Sequence, residues 1–349
     1  MTDSKKDFDA VLLISFGGPE GPDDVMPFLE NVLRGKNVPR ERMLEVAQHY
    51  NHFGGVSPIN DQNRELLAGI KKELAEHNID LPIYWGNRNW HPMIPDALKQ
   101  MRDDGIEKAL AFFTSAYSCY SGCRQYRENI IDAQAEVGDG APEIHKLRMF
   151  FNHPLYIEAS AQRVADAFND VAEDKRSSTH FVFTAHSIPI SMAEGCKYST
   201  QLTEACRLIM EKIGDNNWDL VYQSRSGPPS QPWLEPDVCD FMDQLKSKGV
   251  EDVVVMPVGF VSDHMEVLFD LDTEAQEKCE ELGIRMQRAK SVGVHPKFIS
   301  MIRHLILERT SGTEKLAIGN MPANHDVCPV DCCMPGKRPT RPAATMRSE

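Results

Sequence analysis

Ala10-Val-Leu-Leu-Ile-Ser-Phe16 and Val253-Val-Val-Met-Pro-Val258 are the stretches that decide the fold class. Each is a nearly continuous apolar run of strand length, the pattern of a strand covered on both faces in a parallel sheet. Reading outward, strands are expected at 10–16, 82–87, 108–114, 146–151, 181–185, 219–224, 252–258 and 284–290. Amphipathic helical patterns separate them, among them 155–171, 203–214, 236–249 and 263–283. Gly214, Gly249 and Gly283 stand where helices stop before a strand. Such alternation means α/β architecture with right-handed crossovers. Four strands precede the helix at 155–171 and four follow it. The expectation is two Rossmann-like, doubly wound domains, 1–165 and 166–310, each on a four-stranded parallel sheet, around a central cleft. Residues 311–349, rich in Pro and Cys and ending with Lys337, Arg338, Arg341 and Arg347, read as an irregular tail. No internal repeat or low-complexity tract is visible.

Length and charge narrow the function. A chain of 349 residues fits about two domains of ~150 residues. Its 52 acidic side chains outnumber 38 Lys and Arg, a net charge of -14, which argues against nucleic acid as a partner and is compatible with a cationic metal. Mean hydropathy is -0.40 and the longest apolar stretch is too short for a bilayer, so no transmembrane segment is expected. The N-terminus has no apolar signal region, and the odd count of nine cysteines is no disulfide framework. A cytoplasmic protein is the simplest expectation.

In parallel α/β sheets, function gathers at the carboxyl ends of strands. Gly17-Gly18-Pro19-Glu20-Gly21 ends the first strand but fits neither common phosphate-loop pattern and reads as a tight turn. Phe181-Val-Phe-Thr-Ala-His186-Ser187 puts an imidazole just past a buried strand, as a catalytic group or as a structural histidine. After 252–258, Ser262 or Asp263 is placed to cap a new helix, on which Asp263, Glu266 and Asp270 form an acidic stripe while Leu268, Leu271 and Ala275 face inward. That stripe is either a solvated face or a row of carboxylates that moves a hydrated cation or protons. Arg225, in Gln223-Ser-Arg-Ser-Gly-Pro228, suits a substrate carboxylate or a structural ion pair. Aromatic and hydroxyl residues near the other strand ends (Phe16, Tyr50, Phe53, Ser57, Trp85, Trp90, Tyr117, Tyr120, Tyr126) suit packing or the lining for a large flat ligand. Cys328, Cys332 and Cys333 supply three thiols in a tail without a core, and Cys119 or Cys123 offers a fourth. Four thiolates suit zinc or an iron–sulfur cluster.

Together these elements resemble the ferrochelatase family. The resemblance rests on Leu13-Ile-Ser-Phe-Gly-Gly-Pro19, Phe53-Gly-Gly-Val-Ser-Pro-Ile59, Phe183-Thr-Ala-His-Ser-Ile-Pro189, Tyr222-Gln-Ser-Arg-Ser-Gly-Pro228 and Phe260-Val-Ser-Asp-His-Met-Glu266. It implies a lyase that inserts Fe(II), as substrate, into a porphyrin in haem biosynthesis. His186 and Glu266 are then the catalytic metal-site pair, and Asp263, His264 and Asp270 a proton or metal relay. The stretches 15–22, 52–57 and 120–127 are most similar to the actinobacterial type, which implies coproporphyrin III as substrate and coprohaem as product. Ser57 and Tyr126, then Tyr50, Arg34 and Arg225, are the porphyrin contacts under this reading. Phe16 departs from relatives that carry an iron-ligating tyrosine there. The resemblance also implies a [2Fe–2S] cluster on Cys328, Cys332, Cys333 and Cys123 or Cys119, and transient product handover to later haem-pathway enzymes. The alternatives are a protoporphyrin IX ferrochelatase, a cobalt or nickel tetrapyrrole chelatase, and a non-catalytic binding protein.

Overall fold

A computed structural model describes residues 7–35, 38–215 and 217–336. Lys337, Arg338, Arg341, Arg347 and the N-terminal residues 1–6 lie outside the described residues. The first half runs β1 (Ala10–Ser15), α1 (Pro22–Val32), α2 (Arg40–His52), α3 (Ile59–Glu76), β2 (Ile83–Asn87), α4 (Ile94–Asp103), β3 (Lys108–Phe113), α5 (Gln125–Val137), β4 (Glu143–Lys146) and α6 (Pro154–Asn169). The second runs β5 (His180–His186), α7 (Ile190–Ala193), α8 (Tyr198–Ile213), β6 (Trp218–Gln223), α9 (Val238–Ser247), β7 (Asp252–Met256), α10 (Met265–Phe269), α11 (Gln276–Leu282), β8 (Arg285–Arg288) and α12 (Pro296–Thr310).

Two four-stranded sheets result, ordered β2-β1-β3-β4 and β6-β5-β7-β8, parallel throughout. The halves thus share one winding order without a visible sequence repeat. Every residue of β1 and β7 is buried, which is why those segments carry no alternation. One apolar core runs through both halves: Phe112 stacks on Phe150 at 5.3 Å, and Phe298 of α12 packs against Phe150 and Tyr156. The hydroxyls of Tyr117 and Tyr156 both donate to the Val258 carbonyl, at 3.1 and 3.2 Å. The last helix reaches back to the first half, where Arg303 pairs with Glu73 of α3 at 2.8 Å.

Four sequence expectations need correction. The strand expected at 146–151 is Glu143–Lys146; Leu147–Phe151 is buried but irregular, because its side chains feed the core without continuing the ladder. The helix expected at 263–283 is broken into α10, a π-helical turn over Asp270–Ala275, and α11. Its cap is His264, whose Nδ1 accepts from the Glu266 N–H at 3.2 Å, because Asp263 is engaged elsewhere. Val267, Leu271 and Ala275 form the inward stripe, whereas Leu268 is half-buried.

Candidate active site

β5 delivers His186 to its carboxyl end, paired in register with Gln223 of β6. The His186 Nδ1–H donates to the Ser187 carbonyl at 2.5 Å. A carbonyl can only accept, so Nδ1 carries a proton here, and in the neutral ring the lone pair is on Nε2. The Tyr198 hydroxyl fixes the same turn by donating to the His186 carbonyl at 3.0 Å.

The neighbouring element is the loop into α10 from β7, the strand paired with β5. Gly259 lets it approach β5: a Cβ there would lie 2.7 Å from the Ala185 Cα, while the Gly259 N–H donates to the Thr184 carbonyl at 3.0 Å. Asp263 accepts from Arg288 at 2.9 Å and from the Ser291 N–H at 3.1 Å, so its carboxylate secures the loop. Of the expected stripe Asp263–Glu266–Asp270, only the last two lie on helical backbone.

Electrostatics show which side chains share one site. Burial holds the His264 imidazole below its ordinary pKa; Glu266 opposes this and the His186 ring adds to it. Burial raises the Tyr50 phenol far above its usual range, with the Glu266 charge as the second cause. Asp270 is pushed up to about 7, first by burial and then by Glu266 and Glu274, against hydrogen bonds from Ser224 and Gln223. Glu266 therefore acts on His264, Tyr50 and Asp270, and His186 acts on His264. Beyond Asp270, exposed Glu274 continues the row towards solvent.

An aromatic wall borders this group. Met265 packs with Phe28 and Tyr50, and Phe16, Phe53 and Trp90 lean on the same cluster. His49 of α2 stacks on Phe269 of α10 at 3.8 Å and 9°, joining the helices of the first half to the helix that carries Glu266. Ser57 is buried with its N–H bonded to the Pro19 carbonyl at 2.9 Å. Tyr126 is buried too, its ring stacked on Phe113 at 5.2 Å and covered by the Arg88 guanidinium at 4.8 Å. Arg34 and Arg225 are exposed; Arg225 binds back to the Gln231 carbonyl at 3.1 Å within its own loop. Sequence reasoning passed over Glu274, Ser224 and Gln223 as site groups, and Arg88 and His49 altogether. Only Glu274 left a signal, its four-residue spacing from Asp270.

A second centre lies where the tail meets the first half. The Cys332 and Cys333 sulfurs are 3.6 Å apart, and Cys123 contacts both Cys328 and Cys333. At Cys123 the Cys328 contact lowers the thiol pKa, but the Cys333 contact and burial raise it on balance to about 12. Thiols crowded this way resist ionising together until a cation neutralises them, so the donor set fits a thiolate-bound metal centre. The structure brings Cys123 to the tail; the buried Cys119 sulfur accepts from the Gly122 N–H at 3.2 Å within its own turn. His325, missed in the sequence, joins Cys328 and Cys332 with ligand atoms within 4.8 Å of one another. Arg124 anchors the tail through the carbonyls of Val330 and Cys332, at 2.7 and 3.1 Å.

Two parallel sheets of one winding order, with an imidazole at the end of β5 and a carboxylate after β7 of the second sheet, define a chelatase-type fold. The sirohydrochlorin chelatase SirB from Bacillus subtilis, with bound cobalt, superposes with a TM-score of 0.53 at 10% identity over 87% of this chain and 96% of that one, a likeness of fold. The ferrochelatase family model matches residues 8–310, and the chain belongs to the ferrochelatase family, lyases of haem biosynthesis. A ferrochelatase of Rhodopirellula baltica is 60% identical over 94% of this chain and 93% of its own. A coproporphyrin III ferrochelatase of Streptomyces coelicolor is 50% identical, covering 97% and 96%, and one of Nocardia farcinica 50%, covering 95% and 98%. No helix among the described residues is long and apolar enough to cross a membrane.

Proposed function

We propose that this chain inserts Fe(II) into coproporphyrin III, giving coprohaem and two protons. The observation that carries the reading is that His186 and Glu266 both act on the charge of His264, beside an aromatic wall. Hydrated Fe(II) enters along Glu274 and Asp270, and Glu266 holds it as waters leave. His186 Nε2 takes a pyrrole proton as the first Fe–N bonds form. Asp270, titrating near neutrality, accepts protons and passes them to solvent. His264 caps α10 and keeps Glu266 oriented, while Asp263 acts by holding the loop rather than by passing protons.

Ser57, Tyr126 and Tyr50 belong to the porphyrin side, with Arg34 and Arg225 as outer contacts for propionates. Residues 1–165 and 166–310 are the units that enclose the macrocycle, and 311–349 the tail. Cys328, Cys332 and Cys333 of the tail, with Cys123 of the first half, would hold a [2Fe–2S] cluster, which when bound would supply a cross-link between the tail and the first half. We place the enzyme in the cytoplasm, handing its product transiently to later haem-pathway enzymes. His186→Ala tests the assignment: porphyrin binding persists and Fe(II) insertion disappears. Retained turnover would remove His186 from the mechanism.

A further inference from the structure

Arg88 follows β2 directly, at a strand's carboxyl end, and its N–H donates to the Ser15 carbonyl at 3.0 Å, so it sits beside the end of β1 as well. Its guanidinium is half-buried. Nε donates to Asn129 Oδ1 at 2.8 Å and Nη1 to the Ser121 carbonyl at 3.3 Å, while the group covers the Tyr126 ring and lies 5.8 Å from the Phe16 ring. All of these partners are neutral. Among the described residues no carboxylate pairs with Arg88, whereas Arg64 pairs with Glu20 and Asp61, Arg124 with Glu128, and Arg288 with Asp263 and Asp272.

A half-buried cation without a counter-charge is costly unless an anion is meant to arrive. The position fits one. Phe16 connects Arg88 through Phe28 to Tyr50, at ring separations of 6.2 and 5.7 Å, and Tyr50 feels the charge of Glu266. A flat ligand centred near Glu266 and lying along this wall would bring its rim to the guanidinium. The fork of Asn129, Ser121 and Tyr126 holds the planar group in place, which suits carboxylate recognition.

We propose that Arg88 anchors a propionate at the rim of the porphyrin, and that buried Tyr126 serves this site chiefly as the floor on which the guanidinium rests. The inference rests on the chelatase reading above. The test compares wild type, Arg88→Gln and Arg88→Lys by fluorescence-quenching titration with coproporphyrin III and, in the same detergent, with its uncharged tetramethyl ester, alongside Fe(II) insertion kinetics. Arg88→Gln should raise Kd and KM for the free acid about tenfold, as expected for loss of a charge-assisted hydrogen bond, with little change for the ester. Arg88→Lys should recover part of the loss. Equal losses for acid and ester, or no loss with either, would overturn the anchor. Wild-type protein that binds the acid but inserts no iron would overturn the chelatase reading and leave the Kd comparison to judge Arg88. Wild type binding neither form would overturn both.

Discussion

The side-chain amide of Gln62 holds the backbone of Asp263 on both sides, donating to its carbonyl at 2.9 Å and accepting from its N–H at 3.0 Å. Gln62 belongs to α3 in the first half, and Asp263 lies three residues before Glu266 in the second. This pair of bonds ties the loop that leads into Glu266 to α3 of the first half. Gln62→Ala removes both, worth about 1 kcal/mol each, and should slow Fe(II) insertion about tenfold while shifting Tm by only a few degrees. Gln62→Glu can still accept but not donate and should fall between. Full activity in Gln62→Ala would show that Glu266 is positioned without this link.

Asp270 predicts a pH dependence of stability. Its pKa rises from an ordinary 3.8 to about 7 in the folded chain, so between these values the folded state keeps a proton that the unfolded state has lost. Its stabilising contribution is therefore complete below about pH 4 and is lost as pH rises through about 7. Asp270→Asn, neutral throughout, should melt above wild type by a few degrees at pH 8 and converge with it near pH 4. A Tm difference independent of pH would contradict the raised pKa.

Arg148 and Glu308 form a buried pair, 0% and 2% exposed, with bonds of 2.7 and 2.8 Å. Arg148 also donates to the Leu316 carbonyl at 2.8 Å. Glu308→Ala leaves a cation without its partner and should cost about 3–5 kcal/mol in urea unfolding. Replacing both residues by Met should recover most of that. A loss below 1 kcal/mol in the single variant would mean that water reaches the pair.

How much of this was legible in the sequence depended on the range of the interactions. β1, β5 and β7 were plain because a doubly covered strand writes an unbroken apolar run. β4 was displaced because Leu147–Phe151 is equally apolar, and burial in a loop leaves the same composition as burial in a strand. His186 and Glu266 stood out in the sequence through their motifs. The cap at His264 was not, since Asp263 is the ordinary choice until Arg288, distant in sequence, takes its carboxylate. Spacing could not choose between Cys119 and Cys123; the path of the tail brings Cys123 beside Cys328 and Cys333. Arg88 left no sequence signal, because what distinguishes it is a carboxylate that fails to appear beside it in three dimensions.

The tail centre makes a spectroscopic prediction. Cys332→Ser and Cys123→Ser should each bleach the visible absorbance of a [2Fe–2S] cluster and lower bound iron and sulfide, whereas Cys119→Ser should leave all three unchanged. Bleaching by Cys119→Ser alone would reassign the internal ligand. Absence of sulfide from protein isolated anaerobically would exclude the cluster.

The most direct measurement is anaerobic Fe(II) insertion by the purified protein, with coproporphyrin III and protoporphyrin IX run side by side. Faster turnover of coproporphyrin III, abolished in His186→Ala, is the predicted result. Preference for protoporphyrin IX would contradict the assigned substrate, and turnover of neither would contradict iron insertion at the His186–Glu266 site.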